Sequence, residues 1–426
     1  IVVEAGAGTG KTTLLIDRLC FWLLGRKEAD IERVVALTFT EKAAAEIKVR
    51  LADRLDSVIS AVRSGVENPF VKELREQFSC SDADIRARAM DCLSRLERAQ
   101  IGTIHSFASH ILRLYPRESG APPSFAVDEG DAFGRIFERE WEAWLERELG
   151  DTPADAQAWR SLLGKTTLEE LSAFAVNLCQ PKLRACGLVK SGAQAGFAVR
   201  NLSSRAQDIA AKYDKGKKPA ALCVHLKDAA AQLESLADAL EGKPVAVPPA
   251  PFNPGAVNCK LETWEIADAQ EADALIKFAK SANLFGHAAL GQARALLDAF
   301  CDEVRRKYVS EGWLSFDDLL VKALEAVRNS RAVRDDLKKR YGVFLIDEFQ
   351  DTDPLQGELL LFLCECEGRF AQSWREIELE PGKLFVVGDP KQSIYLFRGA
   401  DIKAFSNFAD FIVAQGAAFC RLVRNF

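Results

Sequence analysis

The stretch Ile1-Val2-Val3-Glu4-Ala5-Gly6-Ala7-Gly8-Thr9-Gly10-Lys11-Thr12-Thr13 constrains this chain more than any other. An apolar start reads as the end of a buried strand, a loop of small residues follows, and a helix-forming stretch begins at once. Glycines at 6, 8 and 10 let the backbone bend where side chains would clash, and let its amides approach a phosphate closely. Lys11 places an ammonium beside terminal phosphates, and Thr12 offers a hydroxyl to Mg²⁺. The helix that follows points its positive end at the same anion. Ala5, Gly6, Ala7, Gly8, Thr9, Gly10, Lys11, Thr12 and Thr13 are therefore the expected phosphate-binding loop. The general pattern has Gly where this chain has Ala5, so the rest of a nucleotide site must be sought elsewhere in the chain.

The elements around the loop supply it. After Thr12, Leu15, Leu19, Trp22 and Leu23 mark one helical face, and Gly25 is the expected stop. Val34 to Phe39 reads as a buried strand, and Thr40 as the cap of a helix over Glu41 to Leu55 with Ala44, Ile47, Leu51 and Leu55 on its apolar face. Val343 to Ile346 is a second buried strand ending in Asp347-Glu348, and Leu384 to Val387 a third ending in Gly388-Asp389. Between them Asp353 caps and Pro354 opens a helix whose pattern runs to Gly368, with Cys364-Glu365-Cys366 inside it. With the strand before the loop, four apolar strands each end in small or polar residues. In an open parallel sheet the ligand crevice lies at those ends.

Mg²⁺ takes hard oxygen ligands and needs only one or two from protein when phosphates complete its shell. Asp347 and Thr12 fit that demand, and Glu348 can orient and deprotonate an attacking water. Alone, an Asp-Glu pair at a strand end is as well explained by a solvated loop entry or a helix cap.

At 426 residues the chain exceeds one ordinary core, so two or more compact units are expected. A short apolar step, Ile101 to Ile104, leads to His105-Ser106-Phe107 and a helix that Pro116 ends. Gly120-Ala121-Pro122-Pro123-Ser124 looks like a boundary, and strand-and-helix alternation returns near Ser315 to Leu320. The expected division is 1–124 and 313–426 as two parts of one α/β lobe, with 125–312 as a helical insertion. Within it Phe133, Phe137, Trp141, Trp144 and Leu145 form a stripe at helical spacing, expected to be core, with a base-stacking surface as the alternative. Residues 243–254, rich in proline, should be an extended loop.

The net charge of −6 argues against a uniformly basic nucleic-acid coat but leaves room for a local basic groove. Eleven cysteines without CxxC pairs fit reduced, mostly buried thiols in a cytoplasmic protein. No 18-residue apolar run indicates a membrane span. The chain opens within a strand, without an initiating Met, so an upstream segment is expected.

Five segments in order resemble the motifs of UvrD/Rep-type superfamily 1 DNA helicases. They are Ala5 to Thr12, where that family commonly carries Ala first; Leu37-Thr38-Phe39-Thr40-Glu41-Lys42-Ala43-Ala44; Gly102 to Phe107; Ile346 to Asp353; and Val387 to Asp401. The wording of the last, with the long helical middle, is most similar to the RecB/AddA branch. The resemblance implies a RecA-like lobe that uses ATP and Mg²⁺. Lys11 and Thr12 would hold phosphates and metal, Asp347 would complete the metal site, and Glu348 would act as base. Gln392 would sense the terminal phosphate. Phe39, Tyr395 and Phe397 would stack on bases, and Thr38, Thr40, Thr103, His105 and Arg398 would complete the DNA contacts. Core packing is the alternative for Phe39 and Phe397, and a structural hydrogen bond for His105.

The resemblance further implies an ATP hydrolase acting as a 3′-to-5′ DNA helicase or translocase of recombination and repair. Its partners would be single-stranded or duplex-end DNA and a second helicase–nuclease subunit, with no membrane. The family's adenine-side Gln and fourth-motif Arg lie outside 1–426, so this stretch alone should turn ATP over poorly. The rivals are an ATP- and DNA-binding module without motor activity, and a P-loop phosphotransferase with a small-molecule acceptor.

Overall fold

The computed structural model describes residues 1–6, 9–150, 156–185, 192–214, 221–240, 264, 266–283, 286–389 and 402–422. Two compact units emerge, Ile1–Ala121 with Lys322–Phe426, and Pro122–Val321. The strands in chain order are β1 (Val2–Ala5), β2 (Val34–Thr38), β3 (Gln100–Thr103), β4 (Ala126–Asp128), β5 (Trp313–Ser315), β6 (Val343–Ile346), β7 (Leu384–Gly388) and β8 (Phe419–Leu422).

In the first unit six strands form one sheet in the order β3-β2-β6-β7-β1-β8, every pairing parallel. All residues of β2, β6 and β7 are buried, as the unbroken apolar runs of a sheet covered on both faces require. Because the strands run the same way, the residues after β1, β2, β3, β6 and β7 emerge along one edge. The core joins Val3, Leu15, Leu19, Ala36, Leu51, Leu345 and Phe385.

Local chemistry sets the helices between. The helix Lys11–Gly25 buries Leu15, Leu19, Trp22 and Leu23 as expected, and Ile16, Cys20 and Leu24 besides. Thr40 Oγ1 accepts from Ala43 N at 3.1 Å and starts the helix Glu41–Ser64, which runs past Leu55 until Gly65. Asp353 and Gln356 form a reciprocal capping box on the helix Pro354–Leu363. That helix stops five residues short of the expected Gly368.

A buried charge cluster explains the stop. Glu365 leaves the helix, bridges to Leu379, and is wholly buried together with Arg334. Its Oε2 accepts from Arg334 Nη1 and Lys338 Nζ, each at 3.2 Å, and its Oε1 from Ala371 N at 2.7 Å. The spare cation donors reach main-chain carbonyls of Val327, Arg328, Ala371, Cys366 and Arg369. The guanidinium lies over the Phe362 and Phe370 rings. Cys364 therefore caps the helix, and Cys366 lies beyond it.

Gly357 of the same helix faces Phe408, and a Cβ there would come within 2.3 Å of its ring. Gly357→Ala should gain up to about 1 kcal/mol in helix propensity but lose about 1–3 kcal/mol by overpacking. We expect a net fall in the urea unfolding midpoint. An unchanged or higher midpoint would show that the Phe408 ring moves aside at no cost.

Among its described residues the second unit is helical apart from the parallel pair β4–β5, in register Ala126 with Trp313. Phe137 and Trp144 are buried in its core, with Phe133, Trp141 and Leu145 packed against them. Phe137 stacks on Trp141, and Trp144 lies 4.9 Å from Phe300. The aromatic stripe is thus core. The proline-rich 243–254 lies outside the described residues.

Burial pushes the Cys92 and Cys364 thiols up to about 12, so both stay protonated and inert. No helix among the described residues is long and apolar enough to cross a membrane.

Candidate active site

The loop after β1 is shaped for an anion. Gly10 has φ 83 and ψ 24, and a Cβ added there would meet nothing within 4 Å. The left-handed backbone, not space, therefore demands glycine. Gly10 precedes the helix Lys11–Gly25 with no side-chain cap, so first-turn amides keep their donors for a ligand. Thr9 Oγ1 donates to Gly6 O at 2.7 Å and draws the loop together. Ala7 and Gly8 lie outside the described residues.

The strand order brings this loop to the acidic pair, since β7 alone separates β1 from β6. Lys11 Nζ donates to Glu348 Oε1 at 3.1 Å and to Oε2 at 3.2 Å, across 337 positions of sequence. Glu348 turns there through a left-handed backbone, φ 51, at the head of the short turn Phe349–Asp351. For a residue with a Cβ that costs about 1–2 kcal/mol, which its carboxylate contacts offset.

Asp347 extends β6 by one pairing, its N–H donating to Leu37 O at 2.8 Å. Burial, and then the neighbouring Glu348 charge, raise its pKa above the ordinary carboxylate value, while the Glu348 N–H and Lys11 pull less strongly the other way. A carboxylate whose ionised form is disfavoured by burial and by another anion is suited to a cation. Thr12 stands on the first helical turn beside Lys11. Among the described residues no group of three His, Cys, Asp or Glu could cage a metal. Hard oxygens, few in number, fit Mg²⁺ shared with phosphates.

The end of β7 completes the site. A Cβ on Gly6 would lie 3.7 Å from Asp389 Oδ2, so β7 and the loop are close neighbours. Gln350 bridges them to the acidic pair, its Oε1 accepting from Asp389 N at 2.8 Å and its Nε2 donating to Glu348 Oε2 at 2.6 Å. Gln350 and Asp389 stand within the motifs, yet the sequence assigns neither a task, because spacing alone does not show a contact between two strand ends.

Five of the expected DNA-contacting residues come together on the neighbouring strands. Thr38 and Thr103 pair in register at the ends of β2 and β3. Phe39 is half-buried and Thr40 exposed just after β2, and His105 is half-buried on the first turn after β3. Thr103 Oγ1 donates to Glu41 Oε1 at 2.8 Å and accepts from Ser106 N at 3.2 Å. Thr38 differs from its neighbours: it is 4% exposed, and its hydroxyl has no hydrogen-bond partner among the described residues. Gln392, Tyr395, Phe397 and Arg398 lie outside the described residues.

A parallel sheet with a glycine-rich phosphate loop after β1 and paired carboxylates two strands away defines a RecA-like nucleotide-binding lobe. The chain belongs to the UvrD/REP helicase N-terminal domain family, whose profile matches residues 1–412. It is 28% identical to an ATP-dependent helicase/nuclease subunit of Carboxydothermus hydrogenoformans, over 96% of this chain and 36% of that protein. It is 26% identical to the RecBCD enzyme subunit RecB of Escherichia coli, over 94% of this chain and 35% of that protein. The chain thus spans about a third of the length of the curated relatives it matches.

Proposed function

We propose that this chain is the ATP- and single-strand-binding lobe of a DNA helicase or translocase of recombination and repair, moving 3′ to 5′. Residues 125–312, within the compact unit Pro122–Val321, would be an accessory subdomain inserted into it. The observation that carries the reading is the Lys11–Glu348 contact, because it brings the phosphate loop and the candidate base into one site.

The pair also suggests a sequence of events. Lys11 and Glu348 are partly buried, with side chains 12% and 32% exposed. Terminal phosphates carry more charge than one carboxylate and accept from the same ammonium. On nucleotide binding Lys11 would exchange Glu348 for the phosphates. The freed carboxylate would then take a proton from the water that attacks the terminal phosphorus, as the bond from that phosphorus to the bridging oxygen breaks and the nucleoside diphosphate leaves. Mg²⁺, held by Asp347 and Thr12, would supply charge neutralisation on the phosphates. Gln392 would report the presence of the terminal phosphate.

DNA would run across the ends of β2 and β3. Phe39, with Tyr395 and Phe397, would offer rings on which bases stack, worth ~1–3 kcal/mol each and indifferent to sequence. Thr38, Thr40, Thr103, His105 and Arg398 would meet the backbone, a phosphate oxygen replacing Glu41 as acceptor for Thr103. Both relatives are named as subunits of larger enzymes, which supports a second helicase–nuclease component as partner. A cytoplasmic location goes with work on DNA.

The test is ATPase of the full-length protein with and without single-stranded DNA. We expect turnover that DNA stimulates and that Lys11→Ala reduces to background. Nucleotide and DNA binding without turnover would favour the non-motor module, and turnover indifferent to DNA would favour a small-molecule phosphotransferase.

A further inference from the structure

The carboxamide of Gln350 joins the ends of two strands, and its residue is 1% exposed. Nε2 donates to Glu348 Oε2 at 2.6 Å and to Asp351 Oδ2 at 3.3 Å, while Oε1 accepts from the Asp389 main-chain N–H at 2.8 Å. Only this orientation satisfies both ends. Reversed, the oxygen would face a carboxylate and the NH₂ would face an N–H. An amide buried and engaged on both sides cannot swing, so it fixes the carboxylate it touches. Glu348 needs such a hold. Its backbone is left-handed, and its other carboxylate partner, Lys11, is the ammonium that phosphates recruit.

We infer that Gln350 is a positioning residue for hydrolysis, keeping the Glu348 carboxylate aimed once Lys11 has turned to the phosphates and tying that aim to the end of β7. The inference rests on the reading of Glu348 as the base. Any displacement of the Asp389 N–H passes to Glu348 through one rigid group.

The experiment uses steady-state ATPase of the full-length protein with saturating single-stranded DNA. Gln350→Met keeps length and burial but removes every hydrogen bond of the carboxamide. Gln350→Glu keeps an acceptor for the Asp389 N–H and sets a second negative charge against Glu348. Both should lower kcat by about 10- to 100-fold, as a misaimed catalytic group does. KM for ATP, and Kd for a non-hydrolysable analogue, should stay within about twofold. Placed on Glu348→Gln, the Gln350→Met change should alter the residual rate by less than about twofold, because its action passes through the missing base.

Wild-type kcat in Gln350→Met, a loss confined to KM, or an equal loss in both backgrounds would overturn the inference. If Gln350→Met does not fold, Gln350→Glu carries the same comparison. Near-wild-type turnover in Glu348→Gln would instead mark failure of the base reading itself, whatever Gln350 does.

Discussion

Glu348→Gln is expected to slow ATP turnover by about 10²- to 10⁴-fold, the usual contribution of a positioned general base, while nucleotide binds more tightly than in the wild type. The two halves of that result have separate causes. The amide has nearly the shape of the carboxylate but cannot accept the proton of the attacking water. It also no longer neutralises Lys11, whose ammonium lies 3.1 Å and 3.2 Å from the two carboxylate oxygens. A partly buried pair of this kind is worth on the order of 1 kcal/mol, so affinity should rise by about fivefold. Titration with a fluorescent nucleotide, alongside steady-state ATPase, reads both quantities on one preparation. Slower turnover with weaker binding would mean that Glu348 supports the loop rather than competing with the phosphates for Lys11.

Glu365→Ala should destabilise the lobe by about 3–5 kcal/mol, the range found when one partner of a buried ion pair is removed. Arg334 and Lys338 are as buried as Glu365, and without it only the partly exposed Asp335 carboxylate, 3.5 Å from Lys338 Nζ, would face them. The Ala371 N–H loses its acceptor as well. For a unit of this size each kcal/mol moves Tm by roughly 2–4 °C, so calorimetry should resolve the loss easily. The control is Glu378→Ala, which breaks an ion pair with Arg369 whose side chains are 67% and 59% exposed. Solvent screening leaves such a pair at most about 1 kcal/mol. Equal effects of the two substitutions would show that the buried cluster relaxes into water and carries no special weight.

That cluster also marks a limit of reading the chain as a string. The helix Arg331–Arg340 looks like a solvated face, because Arg334 and Lys338 are charged and nothing nearby in sequence announces Glu365. Their burial follows from where the residues after Leu363 fold back, and that in turn ends the helix earlier than its apolar pattern suggests. Thr38 is a related case. The motif puts it at a strand end, but only its pairing beside Thr103 in a covered sheet shows how little of it is exposed.

What the sequence by itself determined were the features governed by neighbours a few residues apart. The phosphate loop with Gly10, the caps at Thr40 and Asp353, and the apolar runs of β1, β2, β6 and β7 are all of this kind. Each rests on local sterics, on a side chain reaching its own backbone, or on unbroken hydrophobicity. Tertiary structure alone decided the strand order, the exposed edge strand β8, the small pair β4–β5, and the joining of Gln350 and Asp389 to the expected meeting of Lys11 and Glu348. These depend on which strands lie side by side. Parallel neighbours can be hundreds of residues apart, and no local preference encodes a distance of 337 positions closed to 3.1 Å.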